Sequence, residues 1–296
     1  MLGRRMLGRT GLEVSAISLG GAAFAYRNPG AGWDPFTPVG RATVHETIHT
    51  ALDQGINYID TAAYYGDGFS ESIIGEVIRD RRTDCILASK VWHELDHQGV
   101  IDSVRRSLDR LQTDRIDVMQ VHGVAYTPEQ AAHVAGPVLD ALAEVKAQGL
   151  ICHIGITAEV SWTLIPFLAR PEVEVFQIAY NIIQQAAGRY FLAEAAKVNA
   201  GVVTMRTMTS GIFQHQMSLL APEWQQARDL YEVSLKFVLS DSRVHSAIVG
   251  ARWPHEVAQN LNLAQDWQPA FDFADMPRTT LAVYQAQDAA RPSSET

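Results

Sequence analysis

The chain has 296 residues, of which 47% are hydrophobic and 19% charged, enough apolar material for a sizeable core and too little charge for a disordered chain. A formal net charge of −9 with no clustered Lys and Arg excludes a general nucleic-acid binder, since phosphate neutralisation needs concentrated cations. No apolar run approaches the roughly 18 residues of a membrane span.

The opening Met1-Leu2-Gly3-Arg4-Arg5-Met6 carries two arginines and no stretch of signal-peptide character, and a soluble, cytoplasmic protein is expected. The two cysteines, Cys85 and Cys152, each lie in a short apolar run outside any CxxC arrangement and are expected as buried, reduced thiols.

Along the chain, β-rich runs alternate with segments of helical period. A hairpin of residues 5–7 and 13–15 around Gly8-Arg9-Thr10-Gly11 comes first. Strands follow at 16–19, 58–60, 86–90, 116–122, 151–157, 175–178, 202–206 and 246–250, with helices at 43–54, 70–79, 100–111, 134–148, 161–168, 188–198, 227–239 and 254–264. Thr43 and Ser70 stand at N-cap positions, Pro254 suits a first turn, and Gly55 and Gly149 follow the last periodic residues. Eight strand–helix pairs without a Pro/Ser-rich linker imply an α/β fold, a single (β/α)8 barrel domain over 1–296 whose bottom the hairpin caps. Loops are expected at 26–40, 93–98, 123–128 and 210–224, mostly at the C-terminal face, and a tail helix near 280–289 is expected to fold over it.

A charge that ends an apolar strand is costly unless used or paired. Asp60 ends one such strand, Lys90 the next and His122 the third, each about thirty residues from the last, one βα unit apart. Three neighbouring strands thus aim an acid, an amine and an imidazole at one spot, and Tyr65 lies in the loop that follows Asp60. In this grouping Asp60 holds Lys90 charged, and the ammonium is expected to lower the phenol's pKa from about 10. Tyr65 then gives a proton to a carbonyl oxygen or takes it back, while His122 bonds and orients the same oxygen. Singly, Lys90 is also read as a strand-end lysine reaching solvent and His122 as a satisfied core histidine.

The segment Asp60-Thr61-Ala62-Ala63-Tyr64-Tyr65-Gly66, followed by Gly68, Ser70, Glu71 and Gly75, resembles the aldo-keto reductase signature. So does Ser107-Leu108-Asp109-Arg110-Leu111 with Asp114, Ile116, Asp117 and His122, and the likeness extends over nearly the whole chain. It implies a nicotinamide-dependent carbonyl–alcohol oxidoreductase, with Asp60, Tyr65, Lys90 and His122 in the catalytic tetrad positions. Ile154-Gly155-Ile156-Thr157, Gln177 with Tyr180-Asn181, and Val249-Gly250-Ala251-Arg252 stand where the family binds its cofactor without a GxGxxG fingerprint.

By that resemblance Gly21, Ala22, Asp60, Thr157, Gln177, Met205, Arg206, Met208, Gly250, Arg252, Glu256, Gln259 and Asn260 border the cofactor, Thr157 and Gln177 holding the carboxamide. Arg252 favours a 2′-phosphate and hence NADP(H), while Glu256 would repel one, so NAD(H) stays open. Stretches 154–157 and 221–224 resemble the L-galactose dehydrogenase branch. The implied partner is a small carbonyl compound or a sugar, with Tyr65, Trp92 and His122 lining its site and no metal required.

Two other readings stand beside this one. His45-Glu46-Thr47-Ile48-His49 is a literal HExxH, the helical zinc-peptidase motif, on a helix whose core stripe puts it outside the barrel. A barrel that binds nicotinamide without turning over is the second. Trp33, Trp92 and Trp224 near the open-face loops read equally as an aromatic substrate wall or as loop packing.

Overall fold

In the computed structural model, which describes residues 2–227 and 229–264, the chain opens with an antiparallel hairpin, β1 (Arg4–Met6) and β2 (Glu13–Ser15). Eight parallel strands follow: β3 (Ile17–Gly20), β4 (Tyr58–Asp60), β5 (Ile86–Trp92), β6 (Ile116–His122), β7 (Ile151–Ala158), β8 (Val173–Ala179), β9 (Gly201–Met205) and β10 (Ser246–Gly250). They close in the order β10-β3-β4-β5-β6-β7-β8-β9, so each strand neighbours its successor and the last meets the first. This is the expected (β/α)8 barrel.

Outside it lie α1 (Pro38–Asp53), α2 (Phe69–Ile78), α3 (His97–Leu111), α4 (Pro128–His133), α5 (Leu139–Ala147), α6 (Ala186–Tyr190), α7 (Leu192–Lys197), α8 (Ile212–Leu220), α9 (Pro222–Ala227), α10 (Leu230–Leu239) and α11 (Pro254–Ala264). A 3-10 segment, Ser161–Ala169 with Pro166 inside it, takes the helix position between β7 and β8.

The pleat sorts the side chains. One face of the strands, with the helices, makes the large apolar layer around the barrel. The other fills the barrel floor, where Tyr58, Ala88, Val118, Val175 and Val203 pack with Leu7 and Val14 of the hairpin. The hairpin therefore plugs the bottom. It is tied there by Arg9, whose guanidinium donates to Val173 O and Val198 O at 2.6 Å each, and by Arg5, which donates to Leu239 O at 3.0 Å. Gly8 makes the seat: its φ is +52°, and a Cβ there would lie 2.3 Å from the backbone nitrogen of Gly201.

Several boundaries differ from the sequence expectation, each for a local reason. Helix α1 starts at Pro38 because Thr37, not Thr43, accepts the capping bond, from Gly40 N at 3.0 Å. Ser70 caps nothing: α2 begins after left-handed Gly68, and the buried Ser70 hydroxyl donates to Gly21 O and accepts from Thr61. The single helix expected over 134–148 is broken, since Gly136 takes a non-helical conformation before Pro137, leaving α4, a π-turn and α5. The expected loop over 210–224 holds α8 and the start of α9, and β5 runs two residues past Lys90. Gly55 and Gly149 do take left-handed backbone after their helices. Cys85 is buried and Cys152 half-buried, both unpaired. The tail helix expected at 280–289 lies outside the described residues.

Candidate active site

Strand β4 is three residues long and delivers Asp60 to the barrel interior, 3% exposed. Lys90, on the same inner face of β5 and 2% exposed, places Nζ 2.6 Å from Asp60 Oδ2 and donates to Thr61 O at 2.7 Å. The other oxygen of Asp60 accepts from Gln120 Nε2 at 3.2 Å and Gln177 Nε2 at 2.9 Å. Four strands thus meet at one carboxylate. Burial works against the Lys90 ammonium, but Asp60 and Tyr65 outweigh it and its pKa is raised, so it is charged.

Tyr65 sits on the turn after β4, its N–H on Ala62 O, with the Lys90 ammonium 5.0 Å from its ring centroid. Burial pushes the phenol's pKa up, Lys90 pulls it down by charge and hydrogen bonding, and Asp60 pushes it up again. The net direction is upward. The expected lowering is therefore overturned, because desolvation of a phenolate exceeds the help of one ammonium that Asp60 already partly neutralises. Tyr65 stays protonated at neutral pH.

His122 ends β6 with its ring edge-on to Tyr65, centroids 5.9 Å apart. Burial, then the charge of Lys90 and the neighbourhood of His93, push its pKa down to about 3. It is a neutral imidazole across the working range. The C-terminal end of the barrel thus holds a protonated phenol, a neutral imidazole and a charged amine.

Trp92 is the strand-register partner of His122, with ring centroids 5.7 Å apart. Its indole stacks on exposed Tyr64 at 5.5 Å and 24°, and Tyr26 meets Tyr65 edge-on at 6.5 Å. These rings form an aromatic rim. Trp33 belongs to the packing instead, being buried against Trp253 with its N–H on Ala23 O.

The residues expected at the cofactor continue round the barrel. Thr157 and Gln177 are register partners on β7 and β8. The Thr157 hydroxyl is bonded to Gly123 N and O, whereas Gln177 Oε1 is buried without a partner among the described residues, an acceptor that suits an amide N–H such as the nicotinamide carboxamide's. After β9, Arg206 has a φ of +56° and its carbonyl accepts from Asn181 Nδ2 at 3.0 Å, while its side chain pairs with Glu159. Met205 and Met208 beside it are half-buried.

After β10, Gly250 is exposed and its carbonyl accepts from Asn260 at 3.2 Å. Glu256 accepts the Arg252 N–H at 2.6 Å, and Arg252 Nε is buried without a partner among the described residues. Gln259 is exposed. Gly21 follows β3 where a Cβ would press Ser70 Oγ at 2.8 Å, and half-buried Ala22 comes next.

Sequence reasoning missed Gln120, although its signal was present. A Gln two residues before His122 in a strand lies on the same face, so it had to enter the barrel too. The HExxH residues have other work: His45 bonds Glu76 at 2.9 Å beside Arg41, and His49 lies against Arg81. Among the described residues no group of three or more His, Cys, Asp or Glu is placed to hold a metal, and no helix is long and apolar enough to cross a membrane.

Comparison with known proteins gives the chain a family. The model of the aldo/keto reductase family matches residues 16–223. Pyridoxal 4-dehydrogenase of Microbacterium luteolum is 26% identical, covering 87% of this chain and 92% of its own. L-galactose dehydrogenase of Arabidopsis thaliana is 23% identical, covering 87% and 86%. The holo-form structure of an aldo-keto reductase from Bacillus halodurans superposes with a TM-score of 0.79 at 23% identity over 96% of both chains. The chain belongs to the aldo/keto reductase family, and its activity is nicotinamide-dependent carbonyl–alcohol oxidoreduction.

Proposed function

We propose that Tyr65 is the proton donor and acceptor of that reaction, that Lys90 held by Asp60 tunes it, and that His122 orients the substrate oxygen. The observation that supports this most is Lys90, buried between a carboxylate 2.6 Å away and the Tyr65 ring. When bound, the nicotinamide supplies or accepts hydride at the substrate carbon. Gln177 would hold its carboxamide, with Thr157 bracing the adjoining loop and the stretch Met205–Met208 lying against it. In reduction Tyr65 gives its proton to the carbonyl oxygen, and the adjacent ammonium steadies the phenolate left behind. Neutral His122 donates a hydrogen bond to the same oxygen without adding charge.

NADP(H) is the preferred cofactor, on the strength of Arg252. Its Nε lacks a partner among the described residues, and the neighbouring Glu256 carboxylate is engaged by a backbone N–H. Comparing thermal shifts with NADP+ and NAD+ checks this, and a larger shift with NAD+ would reverse the preference.

The substrate is a small polar ring compound, a sugar or an aryl aldehyde, for which Trp92 and Tyr64 supply a stacking face and Glu94, bonded to the Trp92 N–H at 3.1 Å, an acceptor. The relatives named for pyridoxal and L-galactose oxidation support that class. The deciding experiment is Tyr65→Phe: absorbance at 340 nm should show turnover lost by a factor of at least about 100 while cofactor affinity is kept. A variant that keeps most of its kcat removes Tyr65 from the role.

A further inference from the structure

We propose that His93, as the neutral tautomer with its proton on Nδ1, is a positioning residue that fixes the backbone of His122 and through it the direction of the imidazole. The inference rests on the role given to His122 above. His93 is 6% exposed and has no part in the proton path. Its Nδ1 lies 2.9 Å from His122 O, and its own backbone N–H reaches the same oxygen at 3.3 Å. A carbonyl only accepts, so Nδ1 carries the proton.

The opposite ring nitrogen is determined just as closely. Gln130 Nε2 lies 3.3 Å from His93 Nε2. The orientation of that amide is set by the capping box of α4, where Gln130 Oε1 accepts from Thr127 N at 3.0 Å and Thr127 Oγ1 accepts from Gln130 N at 3.2 Å. The amide therefore turns its NH2 to His93, whose Nε2 must offer a lone pair. A proton on Nε2 would point at a donor.

The two bonds act where the strand gives out. Trp92 and His122 are the last register pair of β5 and β6, and the following residue, Gly123, is held off the ladder by the Thr157 hydroxyl, which accepts from its N–H and donates to its carbonyl. The His122 carbonyl is thus the point at which the residue after β5 grips the residue that carries the imidazole. The ring of His93 is itself wedged edge-on to Tyr126 at 5.6 Å and against Trp92 at 4.8 Å, and α4 is anchored to the same loop by His133, which donates to Leu95 O at 2.9 Å. Of the charged groups, Glu94 stands 3.9 Å from His93 Nε2 on the exposed side.

Three variants and one spectrum test this. His93→Phe keeps ring packing and removes both nitrogens, and should lower kcat roughly 10- to 100-fold with cofactor Kd unchanged, since displacements of about 1 Å have costs of that size. His93→Asn restores a donor at the Nδ1 position and should recover kcat to within about threefold of the parent. In the 15N-labelled parent, His93 should show a protonated Nδ1 and an unprotonated Nε2. Resonances of the opposite tautomer overturn the inference, whether or not any variant folds. So does His93→Phe at parental kcat alongside an inactive His122→Ala, while an active His122→Ala overturns the reading of His122 itself.

Discussion

Asp60 and Lys90 form an ion pair almost wholly removed from water, and such a pair is sustained only if every remaining polar atom is met. Here it is, by the two glutamine amides and the Thr61 carbonyl. Removing one member strands the other, so Lys90→Met should cost about 3–5 kcal/mol of stability as well as activity. Tyr65→Phe leaves no buried charge behind and should cost activity with little stability. Urea denaturation of the two variants separates these outcomes, and equal stabilities would mean Asp60 finds its neutralisation elsewhere.

The histidine makes a different forecast. Because the pKa of His122 is pushed down to about 3, its neutral form persists upward from there, and profiles of kcat/KM between about pH 5 and 9 should show no step that His122→Asn removes. Oxidation should accelerate toward alkaline pH as the raised phenol approaches its pKa, and reduction should hold level and then fall. The identities of these four residues were legible in the sequence because each breaks an apolar strand or completes a long motif. The direction of the Tyr65 shift was not, since spacing reveals that an ammonium is near but says nothing of how dry the phenol is.

At the scale of elements, strands β7 and β8 are stapled to α5 by Glu174, which accepts from Lys146 at 2.6 Å and bonds His153 Nδ1 at 3.1 Å. Partial burial works to raise its pKa, but the bonds from His153 and Lys146 prevail and hold it at about 2. A carboxylate depressed on folding contributes stability that is full above its ordinary value near 4.5 and is lost as pH falls toward 2. Glu174→Gln should therefore cost on the order of 2 kcal/mol at pH 7 and almost nothing at the acid limit. Denaturation series at several pH values give the answer, and a deficit that does not shrink on acidification would show packing, rather than charge, to be what was lost.

Elements themselves were read unevenly. The eight strands were legible because each is a short apolar run bounded by turn residues. Helix ends were less so: Thr37, hidden before Pro38, caps α1, and Gly136-Pro137 splits α4 from α5 inside an unbroken apolar period. Periodicity reports which face is buried, and it persists through a π-turn that the hydrogen-bond ladder does not.

Across the whole molecule the barrel interior is layered. An apolar floor sealed by the hairpin lies at one end, the Asp60 hydrogen-bond layer sits above it, and the aromatic rim opens at the other. Conserving energy and doing chemistry are thus assigned to opposite ends of the strands, which permits a test of whether they are separable. Leu7 is fully buried in the floor, pressed so near Gly201 that a Cβ added there would lie 2.9 Å from its Cγ. Leu7→Ala leaves a cavity against rigid barrel backbone and should cost about 2–5 kcal/mol. Its kcat and KM at a temperature well below unfolding should match the parent, because Leu7 packs in the apolar floor with Tyr58, Val118, Val175 and Val203 and belongs to no part of the proton path. Kinetics and urea denaturation on the same preparation decide it: loss of stability with unchanged turnover supports the division, whereas a kcat that falls in step would mean the Asp60 layer is held in register by the plug beneath it.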